Sequence, residues 1–179
     1  IEFIDKTGIP ATTTLMAMDV IPSDHHLNMN MLGMHGTKYA NYAVQQCDLL
    51  IAVGARFDDR VTGKVADFAP HAKIIHIDID PASVGKIVKA DAPVVGDCKY
   101  ILKEMTASIK KKDRSKWDAQ VEQWKKENPL IYKNEGGQIK PQYVIEKISE
   151  LTKGDCIITT EVGQHQMWAA QYFKFKKPR

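Results

Sequence analysis

The sequence has few cysteines. Cys47, Cys98 and Cys156 are its three cysteines in 179 residues, and no two of them form a Cys-x-x-Cys pair. This spacing excludes the zinc knuckles and redox dithiols that depend on paired cysteines. A sparse, odd number of cysteines is typical of proteins in a reducing compartment, so we expect a cytoplasmic protein.

Long apolar runs are also absent. The longest, Leu49–Val53, is far shorter than the roughly 20 residues that a membrane-spanning helix needs. Residues 1–20 lack the basic and then apolar layout of a signal peptide. We therefore expect no membrane partner.

Neither sign of charge dominates. The chain has 25 Lys and Arg against 22 Asp and Glu, a net charge of +3, and the excess lies mainly in residues 110–116 and 174–179. Because no aromatic platform is interleaved with the lysine run 110–112, we expect no nucleic-acid partner. Such a run is typical of a solvated helix end, with a partner surface as the alternative.

Three apolar runs predict β-strands, at Leu49–Val53, at residues 73–79 and at Ala92–Val95. Apolar runs without strict alternation are typical of strands that are covered on both faces, as in a parallel sheet. Further strands are predicted at 11–16 and 155–160, helices at 1–7, 37–46, 100–111, 115–126, 142–151 and after 163, and a loop rich in Asn, Asp, His and Met at 17–36.

This alternation predicts an α/β fold, a three-layer, mostly parallel, doubly wound sheet with helices on both faces. The fold would be Rossmann-like, although no Gly-x-Gly-x-x-Gly follows any predicted strand. We expect one α/β domain over residues 1–127, in which 1–7 end a preceding helix, then a linker and connecting helix over 128–154. Residues 155–179 would be the truncated start of another domain, and with Ile1 in place of an initiator Met we expect a fragment of a longer protein.

The ends of the predicted strands carry residues that suit a nucleotide. In an open parallel sheet, ligands bind at the carboxyl ends of the strands. These ends are Gly54-Ala55-Arg56, Asp78-Ile79-Asp80 and Gly96-Asp97. Glycine lets the backbone approach a ligand, arginine pairs with phosphate, and an acid accepts hydrogen bonds from ribose hydroxyls. The strand ends therefore predict an adenine-nucleotide crevice, and for each acid the alternative is a helix cap or a turn.

Charges of both signs alternate along residues 54–64. This segment is either a solvated loop held by salt bridges or an active-site loop in which Arg56 and Arg60 contact a diphosphate. Two other turns, at 33–36 and 162–165, precede helices whose first backbone amides could face an anion. The neighbours His25 and His26 lack the spacing of metal ligands, so we predict no metal site in this chain.

Three segments taken together resemble one family. Residues 32–37, 54–64 and 162–171 are similar, in order and spacing, to the catalytic subunit of the acetohydroxyacid synthase (acetolactate synthase) family of thiamine-diphosphate enzymes. The resemblance covers nearly the whole chain. The string Arg-Phe-Asp-Asp-Arg-Val-Thr-Gly-Lys in 56–64 favours the FAD-binding, biosynthetic branch over glyoxylate carboligase and pyruvate oxidase, which remain the alternatives, together with a self-contained nucleotide-binding module.

The resemblance implies that residues 1–127 are the central, FAD-binding domain. The FAD contacts that it implies are Thr14, Leu15, Met16, Gly33, Met34, His35, Gly54, Arg56, Asp58, Arg60, Val61, Asp78, Ile79, Asp80, Gly96 and Asp97. Val162, Gly163, Gln164 and His165 would contact thiamine diphosphate, with Gln166 and Met167 towards the flavin. No catalytic residue is assigned in this chain, although Arg60 is expected near the substrate.

For the intact enzyme, the resemblance implies condensation of pyruvate with a second 2-keto acid, pyruvate or 2-ketobutyrate, with loss of CO2. These reactions are the first shared steps towards valine, leucine and isoleucine. The implied cofactors are FAD, thiamine diphosphate and Mg2+, and the implied assembly is a homo-oligomer with a regulatory small subunit. The activating glutamate and the magnesium-binding segment of the family lie outside these residues, so we expect the chain alone to be inactive.

Overall fold

A computed structural model describes residues 1–178 of the chain. The strands are β1 (Ala11–Thr13), β2 (Asn28–Met31), β3 (Leu49–Val53), β4 (Lys73–Asp78) and β5 (Ala92–Val95). The helices are α1 (Glu2–Thr7), α2 (Lys38–Gln46), α3 (Asp59–Thr62), α4 (Cys98–Ser108), α5 (Ser115–Glu127), α6 (Pro141–Leu151) and α7 (Gln164–Tyr172). Short 3-10 turns cover Leu15–Ala17 and Val65–Asp67. No helix among the described residues is long and apolar enough to cross a membrane.

The strands are parallel, as predicted. β4 lies in the middle of a three-stranded sheet, with Ile75 opposite Ile51 of β3 on one side and opposite Ala92 of β5 on the other. β1 and β2 form a second parallel pair. The α/β class is therefore confirmed, although the hydrogen bonds of the described residues divide the strands between two sheets.

Strand β2 lies where the sequence predicted a loop. Its asparagines made this segment look irregular, but their side chains are hydrogen-bonded in the fold, and the Asn30 amide donates to the Tyr39 hydroxyl at 2.8 Å. The Asn28 amide donates to the Ile21 and Pro22 carbonyls at 3.1 and 3.0 Å, while Met29 and Met31 are buried. The predicted strand 11–16 is likewise shorter, because the chain leaves β1 at Thr13 and enters a 3-10 turn.

The predicted strand at 155–160 is wrong. This segment is irregular, and Ile157 is 92% exposed. A strand needs a neighbour to pair with its backbone, and no strand of the described chain is hydrogen-bonded to this segment. The apolar run Cys156-Ile157-Ile158 therefore lacks the partner that would make it a strand.

Three clusters of buried side chains hold the helices and strands together. One joins α2 to β2 and α5 through Met29, Tyr39, Ala40, Ala43 and Val121. A second lies beneath β3 and β4 and contains Ala52, Phe57, Ile74 and Val88. A third, smaller cluster of Met18, Met31 and Ala170 places α7 against β2. The domain boundaries at 127 and 154 stay a prediction.

Val121 is the buried contact of α5 with this core, at 2% exposure. We predict that Val121→Ala lowers the free energy of unfolding by about 1–3 kcal/mol, because two buried methyl groups are lost and a cavity remains. Chemical denaturation measures the change. Lys126→Ala, an exposed position on the same helix, should change stability by less than about 0.5 kcal/mol; equal effects of the two variants would contradict the packing of α5.

Candidate functional site

The three predicted strand ends meet at one edge of the sheet. The Gly54 N–H donates to the Ile77 carbonyl at 2.8 Å, and the Gly96 N–H donates to the Asp78 carbonyl at 2.9 Å. Both glycines therefore leave the sheet beside the end of β4. The structure brings together the segments 54–56, 78–80 and 96–97, which the sequence predicted to line one crevice.

The chain turns sharply after β4 through carboxylate to backbone hydrogen bonds. Asp78 is buried, and its Oδ1 accepts the Asp80 N–H at 2.9 Å. Asp80 in turn accepts the Ala82 N–H at 2.9 Å and the Ser83 hydroxyl at 2.8 Å. The bond from Ala82, followed by that from Ser83, lowers the pKa of Asp80 below its ordinary value. Ile79, between the two acids, is 68% exposed at the edge.

Two further acids of the predicted site are helix caps. Asp58 accepts the Arg60 N–H at 3.1 Å at the start of α3, and Asp97 accepts the Tyr100 N–H at 2.9 Å at the start of α4. The capping alternative is therefore correct for the geometry of Asp97, whereas Asp58 caps a helix that the sequence did not predict. Each cap uses one carboxylate oxygen and leaves the side chain exposed at the crevice.

Cys98 lies beneath the crevice, where its thiol faces the Ile77 carbonyl at 3.9 Å. Burial raises the pKa of this thiol, and the nearby carboxylates of Asp78 and Asp97 raise it further. The thiol therefore stays protonated around neutral pH.

Arg56 and Arg60 lie exposed along this edge. Within residues 1–178, neither guanidinium forms an ion pair or a side-chain hydrogen bond, and the one ion pair of the 54–67 segment joins Lys64 to Asp67 at 2.9 Å. The alternating charges of this loop do not cross-link it. Both guanidinium groups can therefore meet an anion without first breaking an existing pair.

Phe57 anchors the loop between these charges. Its backbone has a φ of 56°, which bulky residues rarely adopt, and its side chain is buried. The ring meets His76 edge-on at 5.0 Å between centroids and Phe68 at 5.8 Å. Because Phe57 points into the core, Arg56 and Asp58 on either side of it face outward.

The turn at 33–36 lies against α3. The Met34 N–H donates to the Arg60 carbonyl at 2.8 Å, and Asn41 of α2 bonds both the N–H and the carbonyl of Gly33, at 2.8 and 2.9 Å. Met34 and His35 are exposed, while Gly33 is buried. Sequence reasoning missed Asn41; an asparagine beside buried Ala40 in an amphipathic helix is the pattern that could have indicated it.

Helix α7, which follows the predicted segment 162–165, lies close to the turn at 33–36. Gly163 precedes the helix, and residues 162–165 are exposed. The Gln171 amide donates to the His35 carbonyl at 2.8 Å, and Met167 packs with Leu15, Met18 and Met31. The segments around Leu15, His35 and Met167 are therefore neighbours, and the Met34 to Arg60 bond connects them to the crevice.

A cleft of about 820 Å³ lies elsewhere, between residues 23–30, α5 and the end of α7. None of the predicted cofactor residues lines it. The crevice itself is an open edge whose side chains are mostly exposed, apart from the buried Asp78. No group of three His, Cys, Asp or Glu in the described chain is arranged to hold a metal ion, and His25 instead contacts Asp5 at 2.9 Å.

Parallel strands with charged and glycine-rich loops gathered at their carboxyl ends define an α/β domain of the class that places a ligand crevice at this edge. Residues 1–105 match the sequence profile of the family described as "Thiamine pyrophosphate enzyme, central domain", and the chain belongs to this family.

Curated relatives extend the similarity to the remainder of the chain. Acetolactate synthase 1, chloroplastic, of Zea mays and its namesake of Oryza sativa subsp. japonica are each 53% identical over 99% of this chain. Acetolactate synthase, chloroplastic, of Arabidopsis thaliana is 50% identical over the same share. The chain spans less than a third of these relatives, 28 to 29% of their length.

The Gly33 turn has no room for a side chain. A Cβ at this position would lie 2.5 Å from the Arg60 carbonyl oxygen, and φ is 92°. We predict that Gly33→Ala lowers the free energy of unfolding by about 2–4 kcal/mol, because it adds a clash to a strained backbone. Thermal or chemical denaturation measures this change. Gly136→Ala is the matched control, since its φ is 84° with nothing within 4 Å; a loss as large there would refute the clash.

Proposed function

We propose that this chain is the FAD-binding central region of an acetolactate synthase. The observation that carries the proposal is the convergence of residues 33–36, 54–61 and 78–80 and of Met167 on α7, far apart in sequence, on one connected region. Identity of about half of all positions to acetolactate synthases, over 99% of the chain, supports it.

The residues at the crevice fit the chemistry of a dinucleotide. Arg56 and Arg60 supply unpaired cations for the diphosphate, and such charge-assisted bonds are the stronger kind. Asp78 has one carboxylate oxygen without a described partner, an acceptor for a ribose hydroxyl. Exposed Met34 and Ile79 offer apolar surface to a ring. Thr14, Leu15, Met16, Gly33, His35, Gly54, Asp58, Val61, Asp80, Gly96 and Asp97 complete the proposed FAD set.

The start of α7 is proposed as the thiamine-diphosphate side. The N–H groups of Gly163, Gln164 and His165 donate to no described partner, as is usual in the first turn of a helix, and they suit a diphosphate. Val162, Gln166 and Met167 flank them. When bound, thiamine diphosphate supplies the electron sink for decarboxylation and carbon–carbon bond formation, while this chain's part is to bind, orient and exclude water. Mg2+ belongs to the proposed cofactor set, and its ligands are not assigned to this chain.

The proposed substrates are pyruvate and a second 2-keto acid, pyruvate or 2-ketobutyrate, in branched-chain amino-acid biosynthesis. We propose that Arg60 lies near the carboxylate of the second 2-keto acid, because its guanidinium is exposed and unpaired in the described chain. A homo-oligomer with a regulatory small subunit is the proposed assembly. The chain alone is proposed to be inactive.

The location of the protein is also a proposal. The free cysteines Cys47, Cys98 and Cys156 fit a compartment that keeps thiols reduced, for which we expected the cytoplasm. The relatives are named as chloroplastic proteins. We therefore propose that the protein lies in a reducing compartment, of which the cytoplasm is one example.

Product analysis separates this function from those of related enzymes. We expect the complete polypeptide that carries this chain to convert pyruvate to 2-acetolactate and CO2. Colorimetric detection of acetoin after acidification measures the product. Hydrogen peroxide without acetolactate would identify a pyruvate oxidase and contradict the proposal, as would activity with glyoxylate in place of pyruvate.

Arg56→Ala tests the flavin site. We predict that it raises the Kd for FAD by about tenfold to a hundredfold, because one charge-assisted hydrogen bond of roughly 1.5–3 kcal/mol is lost. The flavin retained after gel filtration and the quenching of flavin fluorescence report the change. Lys73→Ala removes a cation at the opposite end of β4, where it pairs with Asp91 at 3.1 Å; it should leave the Kd within about twofold. Equal flavin retention by both variants would refute the role of Arg56.

A further inference from the structure

His76 is a fully buried histidine in the middle of β4, outside the proposed set of cofactor contacts. Its Nδ1 accepts the Gly85 N–H at 3.1 Å. A neutral imidazole with Nδ1 as acceptor carries its proton on Nε2, and no described residue accepts a hydrogen bond from that nitrogen. A buried donor without a partner costs free energy. Leucine or phenylalanine would fill this space without that cost, so the acceptor at Nδ1 is what the histidine contributes.

Gly85 lies in the Asp80 loop, defined here as residues 79–91, which joins β4 to β5 without a helix. At its start, Asp78 and Asp80 hold the turn. At its end, Asp91 accepts the Ile74 N–H at 2.9 Å. In between, the His76 to Gly85 bond and the burial of Val88 tie the loop to the sheet.

The same imidazole supports the loop after β3. The Phe57 ring stands at 88° to the His76 ring, with 5.0 Å between the centroids. Phe57 is the anchor of the Arg56 loop, defined here as residues 54–58, because its ring is buried while its backbone has a positive φ. One side chain therefore contacts both loops of the crevice, by a hydrogen bond to one and by an edge-on ring contact to the other.

We infer that His76 is a positioning residue that fixes the Arg56 loop and the Asp80 loop relative to each other, so that cations and ribose acceptors face one dinucleotide. This inference rests on the proposed FAD site. The bond at Gly85 limits opening of the Asp80 loop, and a ligand that contacts both loops loses affinity when either opens.

Two substitutions separate the contributions of the histidine. His76→Phe keeps a ring against Phe57 but removes the acceptor, and His76→Asn restores an acceptor near the Nδ1 position without the ring. In the complete polypeptide, we expect His76→Phe to raise the Kd for FAD by about tenfold and to speed hydrogen exchange in residues 79–91. His76→Asn should recover part of that affinity. The affinity for thiamine diphosphate should stay within about twofold of wild type, because the proposed contacts to it lie on α7.

His71→Phe is the matched control, since His71 is an exposed histidine just before β4, and it should bind FAD like the wild type. Unchanged FAD affinity in His76→Phe overturns the inference, as does a weaker affinity in His76→Asn than in His76→Phe. A wild type that binds no FAD removes the proposed function and this inference together. If His76→Phe does not fold, hydrogen exchange of the wild type decides: FAD should slow exchange in residues 79–91, and no slowing overturns the role.

Discussion

Strand β4 is the element on which the rest of the structure depends. Its last two carbonyl groups, of Ile77 and Asp78, accept hydrogen bonds from Gly54 on one side and Gly96 on the other. Both neighbouring strands must therefore end at the level at which β4 ends, and the loops that follow them begin on either side of Asp78. Since a parallel sheet directs all its strands one way, three distant parts of the sequence are delivered to a single edge.

The sequence predicted this edge well because its information is local. Strands β3 and β5 have the predicted bounds and β4 ends one residue early, because a short apolar run between turn residues is a strand pattern that needs no knowledge of distant contacts. Strand β2 was not predicted because its asparagines are typical of a loop, although the Asn28 amide donates to nearby carbonyls and the Asn30 amide to the Tyr39 hydroxyl. The strand predicted at 155–160 was wrong for the opposite reason. An apolar pattern does not supply the neighbouring strand that must pair with it.

The contacts of the residues that support this edge from within the fold were not predicted from the sequence. Asn41 and His76 lie outside the motifs, and Phe57 lies within the 56–64 string without any sign of its burial; each acts through a contact with a segment that only the fold brings near. Asn41 bonds the backbone of the Gly33 turn, and His76 contacts two loops at once. Periodicity identifies which face of an element is buried, but it does not say which buried side chain carries a hydrogen bond. Burial of a polar group with a specific partner is a property of the folded chain alone.

At this edge, backbone N–H groups and arginine side chains are alternative partners for the carboxylates. One carboxylate oxygen of Asp58 accepts a backbone N–H at the cap of α3, and Asp80 accepts a backbone N–H in the turn after β4. A backbone donor in a cap or turn is fixed in place, whereas an exposed ion pair must order two long side chains and contributes little. The carboxylates therefore stabilise the loops, and Arg56 and Arg60 are left without partners in the described chain. Neither guanidinium must therefore break an existing pair in the described chain before it contacts an anion, and this is the physical basis of the proposed diphosphate site.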